Sequence, residues 1–126
     1  MELYEMRQGV TRTSDKLVSM GKSLNMEDKR KTLEANNAKM AEADFWNDQK
    51  AAQRLIKQTN QIKSLVDSYD HLTSALEDLS GSVNELSETF DDDMNELVQE
   101  EYADVMKDFE EFEIQVLLSG PYDNHN

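Results

Sequence analysis

The chain has 126 residues, enough for one domain that buries about two-thirds of the surface its unfolded form exposes. It holds no cysteine, which excludes a disulfide framework, a thiolate metal site and a cysteine nucleophile, and which fits a reducing compartment. Its net charge of −14 is unevenly placed: residues 1 to 63 carry twelve Lys and Arg against nine Asp and Glu, whereas residues 64 to 126 carry Lys107 alone against eighteen acids.

That acidic half repels phosphate backbones and favours basic protein surfaces, so any contact with nucleic acid has to come from the first half. The longest apolar runs, such as Val116-Leu117-Leu118, fall far short of the roughly 20 residues that span a bilayer. Met1-Glu2-Leu3-Tyr4-Glu5 is too acidic and too mixed for a signal peptide. A soluble, cytoplasmic chain without a membrane partner is expected.

Leu3, Met6, Val10, Leu17, Met20 and Leu24 follow alternating steps of three and four, with Thr13 in the vacant slot, and predict a first amphipathic helix. Asn25 then offers a cap. From Met26 to about Glu42 the apolar stripe is thin, with Met26, Leu33 and Met40 seven apart and Arg30, Asn36 and Asn37 nearby, so loose packing is expected. Asp44-Phe45-Trp46-Asn47-Asp48 reads as a corner between helices, with Asp44 and Asn47 as N-caps and Trp46 as a buried structural plug. The alternative role for Trp46 is a stacking platform for a nucleotide or cofactor.

The strongest seam follows, through Leu55, Ile62, Leu65, Tyr69, Leu72, Leu76 and Leu79, with Gln58 as its polar exception. It predicts a helix capped by Asn47 and running to about Ser80, kinked or ended by Ser80-Gly81-Ser82. Val83, Leu86 and Phe90 hold the same phase and predict a short further helix. A last helix is expected from about Asp92 to Leu118, with Met94, Val98, Val105, Phe109, Phe112 and Val116 on one face. Its acidic start, Asp91-Asp92-Asp93, suits the positive end of a helix dipole. Ser119-Gly120-Pro121 should stop it. No stretch alternates as a strand does. The expected fold is all-α, an elongated antiparallel helical bundle with coiled-coil-like packing over residues 1 to 118, with 119 to 126 a linker or the start of a further domain.

No catalytic, cofactor or metal motif is complete in the sequence. Asp91, Asp93 and Asn95 mimic the first ligands of a calcium loop, but Glu96 stands where glycine makes the sharp turn and Tyr102 where a bidentate glutamate belongs. Helix capping is the reading that remains. His71 and Asp67 share a face at a ligand-like spacing, yet two ligands do not make a site. The four glycines are too scattered to cradle a phosphate. Lys29-Arg30-Lys31 is the one basic cluster, and without an interleaved aromatic it suits a solvated helix end better than RNA. The chain is expected to be noncatalytic.

Two motifs carry a family likeness. Asp44-Phe45-Trp46-Asn47-Asp48 with Ala51-Ala52-Gln53, and later Phe112-Glu113-Ile114 with Leu117-Leu118-Ser119-Gly120-Pro121-Tyr122-Asp123, together resemble the N-terminal helical domain of the bacterial peptide chain release factor 2 family. These are class I factors that read UAA and UGA stop codons and trigger hydrolysis of peptidyl-tRNA on the ribosome. The motifs that do that work are absent, since no Gly-Gly-Gln and no Ser-Pro-Phe occurs in the sequence. The resemblance therefore implies an accessory arm, cut close to where the codon-reading and hydrolysis domains begin. It implies as partners the stalk base of the large ribosomal subunit and the class II release factor GTPase. Candidate partner contacts are Lys29, Arg30 and Lys31 on the basic side and Asp91, Asp92, Asp93, Glu100 and Glu101 on the acidic side. The competing expectation is a freestanding acidic helical adaptor that binds a partner through its heptad seam, and thin seams also invite a weak homodimer. Convergent heptads would explain the seam but not the two motifs.

Overall fold

A computed structural model describes residues 1–119; the expected Gly120-Pro121 stop and the tail to Asn126 lie outside them. Helix α1 spans Leu3–Ser23, and its first turn is tied down where the Glu5 carboxylate accepts from the Glu2 amide at 2.9 Å. Asn25 ends the run in the left-handed region, at φ 51° and ψ 59°, a conformation that asparagine tolerates better than most residues. Its side chain then accepts from the Asp28 amide and starts α2, Met26–Met40. Of α2 only Met26 is buried, as the thin stripe predicts. A single 3₁₀ turn, Phe45–Asn47, leads to α3, Gln49–Glu88, and α4 covers Asp92–Ser119. The α4 cap is Asp91, whose carboxylate accepts from the Met94 amide at 2.8 Å.

Contacts between elements fix the directions. Arg7 reaches Asn84 and Ser87, while Asn36 reaches Thr59, so α1 and α2 together run antiparallel to α3. His71 faces Asp108 and Gln115 donates to Ser64, so α4 is antiparallel to α3 as well. Gln99 donates to the Met1 carbonyl and Thr13 to the Met106 sulfur, which makes α1 and α4 parallel neighbours. The result is an all-α bundle in two sections. The C-terminal half of α3 is flanked by α1 and α4, and its N-terminal half is paired with α2.

Forty residues make α3 about 60 Å long at 1.5 Å per residue. In the three-helix section Leu72, Leu76, Leu79, Val83 and Leu86 are each no more than 3% exposed and join Met6, Val10, Leu17, Val98, Val105, Phe109 and Phe112 in one core. Burial of each such side chain is worth about 1.5 to 3 kcal/mol over leaving it in water. Two tyrosines lock α1 into place. A Cβ built on Gly9 would lie 1.9 Å from the Tyr102 hydroxyl, and one on Gly21 would lie 2.3 Å from that of Tyr69. Only a glycine leaves room for either ring.

Three expectations are corrected. Ser80-Gly81-Ser82 neither kinks nor ends the helix, because Leu79 and Val83, at 0% and 1% exposure, bury on either side of it in unbroken phase. That burial outweighs the cost of about 1 kcal/mol for a mid-helix glycine. The α3 cap is Asp48, accepting from the Ala51 amide at 3.1 Å, rather than Asn47, and Asp44 makes no side-chain cap. Trp46 is 57% exposed rather than plugged in place. Its ring stands edge-on to Phe45 at 5.2 Å between centroids. The corner lies at the far end of the two-helix section, where among the described residues no third helix covers it.

The glycines make opposite predictions. No atom lies within 4 Å of a Cβ at Gly81, so Gly81→Ala should raise stability by about 0.5 to 1 kcal/mol in urea denaturation, whereas Gly9→Ala should lower it by displacing the Tyr102 ring. Trp46→Ala should change stability by less than about 0.5 kcal/mol, and iodide should quench the Trp46 fluorescence readily.

Candidate functional site

The acidic residues sit where the α4 sequence has to begin a helix and then coat its outer side. Asp91 is spent on the cap, while Asp92 and Asp93 stand exposed in the first turn beside the free amides, where negative charge is favoured. Two turns on, Glu100 is exposed and Glu101 half-buried. Asn95, the third residue of the calcium-like run, accepts from Gln99 one turn later within α4. Asp91, Asp93 and Asn95 are thus wound into a helix start and do not converge. His71 does not pair with Asp67 as their spacing suggests. Asp67 takes Lys63 at 2.6 Å, and His71 instead reaches across to Asp108 at 3.5 Å. Among the described residues no three His, Cys, Asp or Glu side chains are placed to hold a metal ion.

The basic cluster is divided among three tasks. Lys29 turns back to donate to the Leu24 carbonyl at 2.6 Å, closing the α1–α2 joint. Arg30 crosses to α3 and forks onto Asp70, Nη1 to Oδ2 at 2.9 Å and Nη2 to Oδ1. These hydrogen bonds raise the Arg30 pKa and depress that of Asp70. Lys31 stays largely in solvent, 4.0 Å from Glu27. Lys29, Arg30 and Lys31 therefore do not form one patch, and two of the three already serve the fold.

A feature that sequence reading missed lies between them. An open groove of about 1320 Å³ runs along α3 from Gln53 to Leu65, bounded by Met20 and Leu24 near the α1–α2 joint and by Val116 and Leu118 at the end of α4. Ile56 and Ile62 are half-buried within it. The thin stripe of α2 was the signal, since a helix with so few apolar residues cannot close a core alone. A smaller pocket of about 340 Å³ between α3 and α4 is lined by Ser68 and His71 with Asp67, Asp108 and Glu111, and the imidazole there faces Asp108 at 3.5 Å.

Residues 29–126 match the PCRF domain family. Over all 126 residues the chain is 35% identical to peptide chain release factor 2 of Staphylococcus epidermidis and 32% identical to that of Staphylococcus aureus. It spans about a third of the length of these curated relatives, 34% in each case.

The Arg30–Asp70 pair has a pH signature. Because folding depresses the Asp70 pKa, the pair contributes stability above about pH 4, the ordinary carboxylate range, and loses it as pH falls through the depressed value. Both side chains are about half exposed, at 45% and 50%, so solvent limits the contribution to about 0.5 kcal/mol. A double-mutant cycle with Arg30→Gln and Asp70→Asn should give a coupling of that order at pH 7 that vanishes in strong acid.

Proposed function

Since the chain belongs to the PCRF domain family, we propose that it is the helical accessory arm of a class I peptide chain release factor, acting in translation termination at UAA and UGA codons on the cytoplasmic ribosome. The observation that carries this reading is an alignment with peptide chain release factor 2 that spans every residue of the chain. The fold supports it: a helix of about 60 Å, braced on both sides along half its length, is a spacer that transmits position rather than a pocket that does chemistry. No helix among the described residues is long and apolar enough to cross a membrane.

In this role the arm is itself noncatalytic, lacking both Gly-Gly-Gln and Ser-Pro-Phe. Its partners are the stalk base of the large ribosomal subunit and the class II release factor GTPase. The acidic first turns of α4, with Asp91, Asp92, Asp93, Glu100 and Glu101, steer it toward basic protein surfaces and keep it off bare RNA, and Lys31 is the member of the basic cluster still available for contact.

Two measurements test this. Added to ribosomes holding peptidyl-tRNA at UAA or UGA, the chain alone should release no more peptide than a control without factor; release above that control contradicts the noncatalytic assignment. In a full-length factor carrying this chain, replacing Asp91, Asp92 and Asp93 by Asn and Glu100 and Glu101 by Gln should slow ribosome association several-fold at low salt while leaving hydrolysis by the bound complex unchanged. The difference should shrink as salt rises and the Debye length falls below about 10 Å. Equal association rates would leave the acidic face a solubility device.

A further inference from the structure

We propose that the exposed apolar side chains Phe90 and Leu97, set among carboxylates at the three-helix end of the bundle, anchor a basic segment of another protein. This rests on the acidic start of α4 as a contact surface, as proposed above, and adds what holds the partner once it has arrived.

Leu97 is 66% exposed one residue before Val98, which is 3% exposed in the core, and Phe90, in the connection from α3 to α4, is 59% exposed. On a helix surface the neighbours of a residue are those three and four places away. For Leu97 they are Asp93, Met94, Glu100 and Glu101, so three of the four are carboxylates. Phe90 directly precedes Asp91, Asp92 and Asp93. Among the described residues none of these five acids is ion-paired. No Lys or Arg occurs from Ser64 to Met106, and Arg7 of α1, which reaches this end, is held by Asn84 and Ser87. Contact with Leu97 therefore brings a partner's flanks against carboxylates, which favours Lys and Arg there.

The exposure does not depend on the residues after Ser119. Leu97 lies about 33 Å along α4 from Ser119, at 1.5 Å per residue, whereas the seven residues from 120 to 126 span at most about 25 Å when fully extended.

The same charge disfavours other occupants. Phosphate backbones and anionic lipid headgroups are repelled. A second copy has no exposed apolar residue set among net cations to offer. Its Ile114, Leu117 and Leu118 come with Glu110, Glu111 and Glu113. Its Trp46 stands in a stretch, Lys39 to Lys50, that holds two lysines against three acids. Val18 on α1 has Asp15 and Lys22 as its charged helical neighbours, which cancel. Two copies meeting end to end through Leu97 would set the same acids against each other.

The test measures binding of a synthetic helical peptide to the full chain by surface plasmon resonance. The peptide carries Leu at i, i+3, i+4 and i+7 and Lys or Arg elsewhere; one control scrambles its order and another replaces its cations by Glu. Leu97→Gln and Phe90→Ser should each shorten the lifetime of the complex roughly tenfold while leaving its association rate unchanged. Replacing Asp91, Asp92 and Asp93 by Asn and Glu100 and Glu101 by Gln should slow association instead, and Val18→Ser should change neither. Helix content by circular dichroism should be the same in all variants. An unchanged association rate in the neutralised chain overturns the acidic-face reading and this one with it. Equal binding of either control peptide, or an unchanged lifetime in Leu97→Gln, overturns this one alone. So does a dimer in sedimentation that Leu97→Gln dissociates, which gives the anchor to a second copy. A full-length factor whose Leu97→Cys resists maleimide before any peptide is added also overturns it, by giving the anchor to another part of the same protein.

Discussion

The apolar seam of α3 is the interaction on which the rest depends. Leu72, Leu76, Leu79, Val83 and Leu86 are buried in the core between α1 and α4, two helices that touch each other only lightly. Neither flank has an extensive neighbour besides α3, so α3 sets both their direction and their register. The glycines of α1 follow from that constraint. With α1 fixed against α3 and α4 at close range, Tyr69 and Tyr102 reach its backbone, and Gly9 and Gly21 are where they fit.

The same constraint explains why the molecule is uneven along its length. Among the described residues α4 comes back along only part of α3, so the three-helix section has a closed core while the α2–α3 section holds two helices and an open side. In that section the buried residues are few, Met26 on α2 and Ala52, Thr59, Leu65 and Val66 on α3, with the Thr59 hydroxyl accepting from Asn36. The acids cluster on the thick end and the lysines on the thin one. The chain thus presents an acidic three-helix base and a thinner, more neutral tip at which Trp46 is exposed and Phe45 half-buried.

Helix order and buried faces were legible in the sequence wherever the apolar period was sustained, but the short further helix expected through Val83, Leu86 and Phe90 is the end of α3, which stops at Glu88 and leaves Phe90 59% exposed. Met94 through Val116 fell on one inward face, and Asn25 capped α2, because periodicity and capping are local properties. The misreadings are those in which a local rule met a tertiary fact. Ser80-Gly81-Ser82 carries the composition of a break, but the phase of Leu79, Val83 and Leu86 held across it, and burial decided. Trp46 has the size and apolarity of a core residue, yet burial needs a neighbour, and nothing local says that among the described residues only two helices reach the corner. Lys29, Arg30 and Lys31 look like one charge patch in a line of text; on a helix, 100° apart, they face a carbonyl, an aspartate and solvent. The groove was legible only indirectly, in the thin apolar stripe of α2.

The central claim is that α3 is one uninterrupted spine to which both flanks owe their stability. Native-state hydrogen exchange at individual amides tests it most directly. If it holds, Gly81, Ser82 and Val83 exchange with the same opening free energy as Leu76 and Leu79, all through global unfolding. Amides at Gly81 and Ser82 that exchange by a separate, low-energy local opening would show a hinge in the middle of α3 and contradict the account.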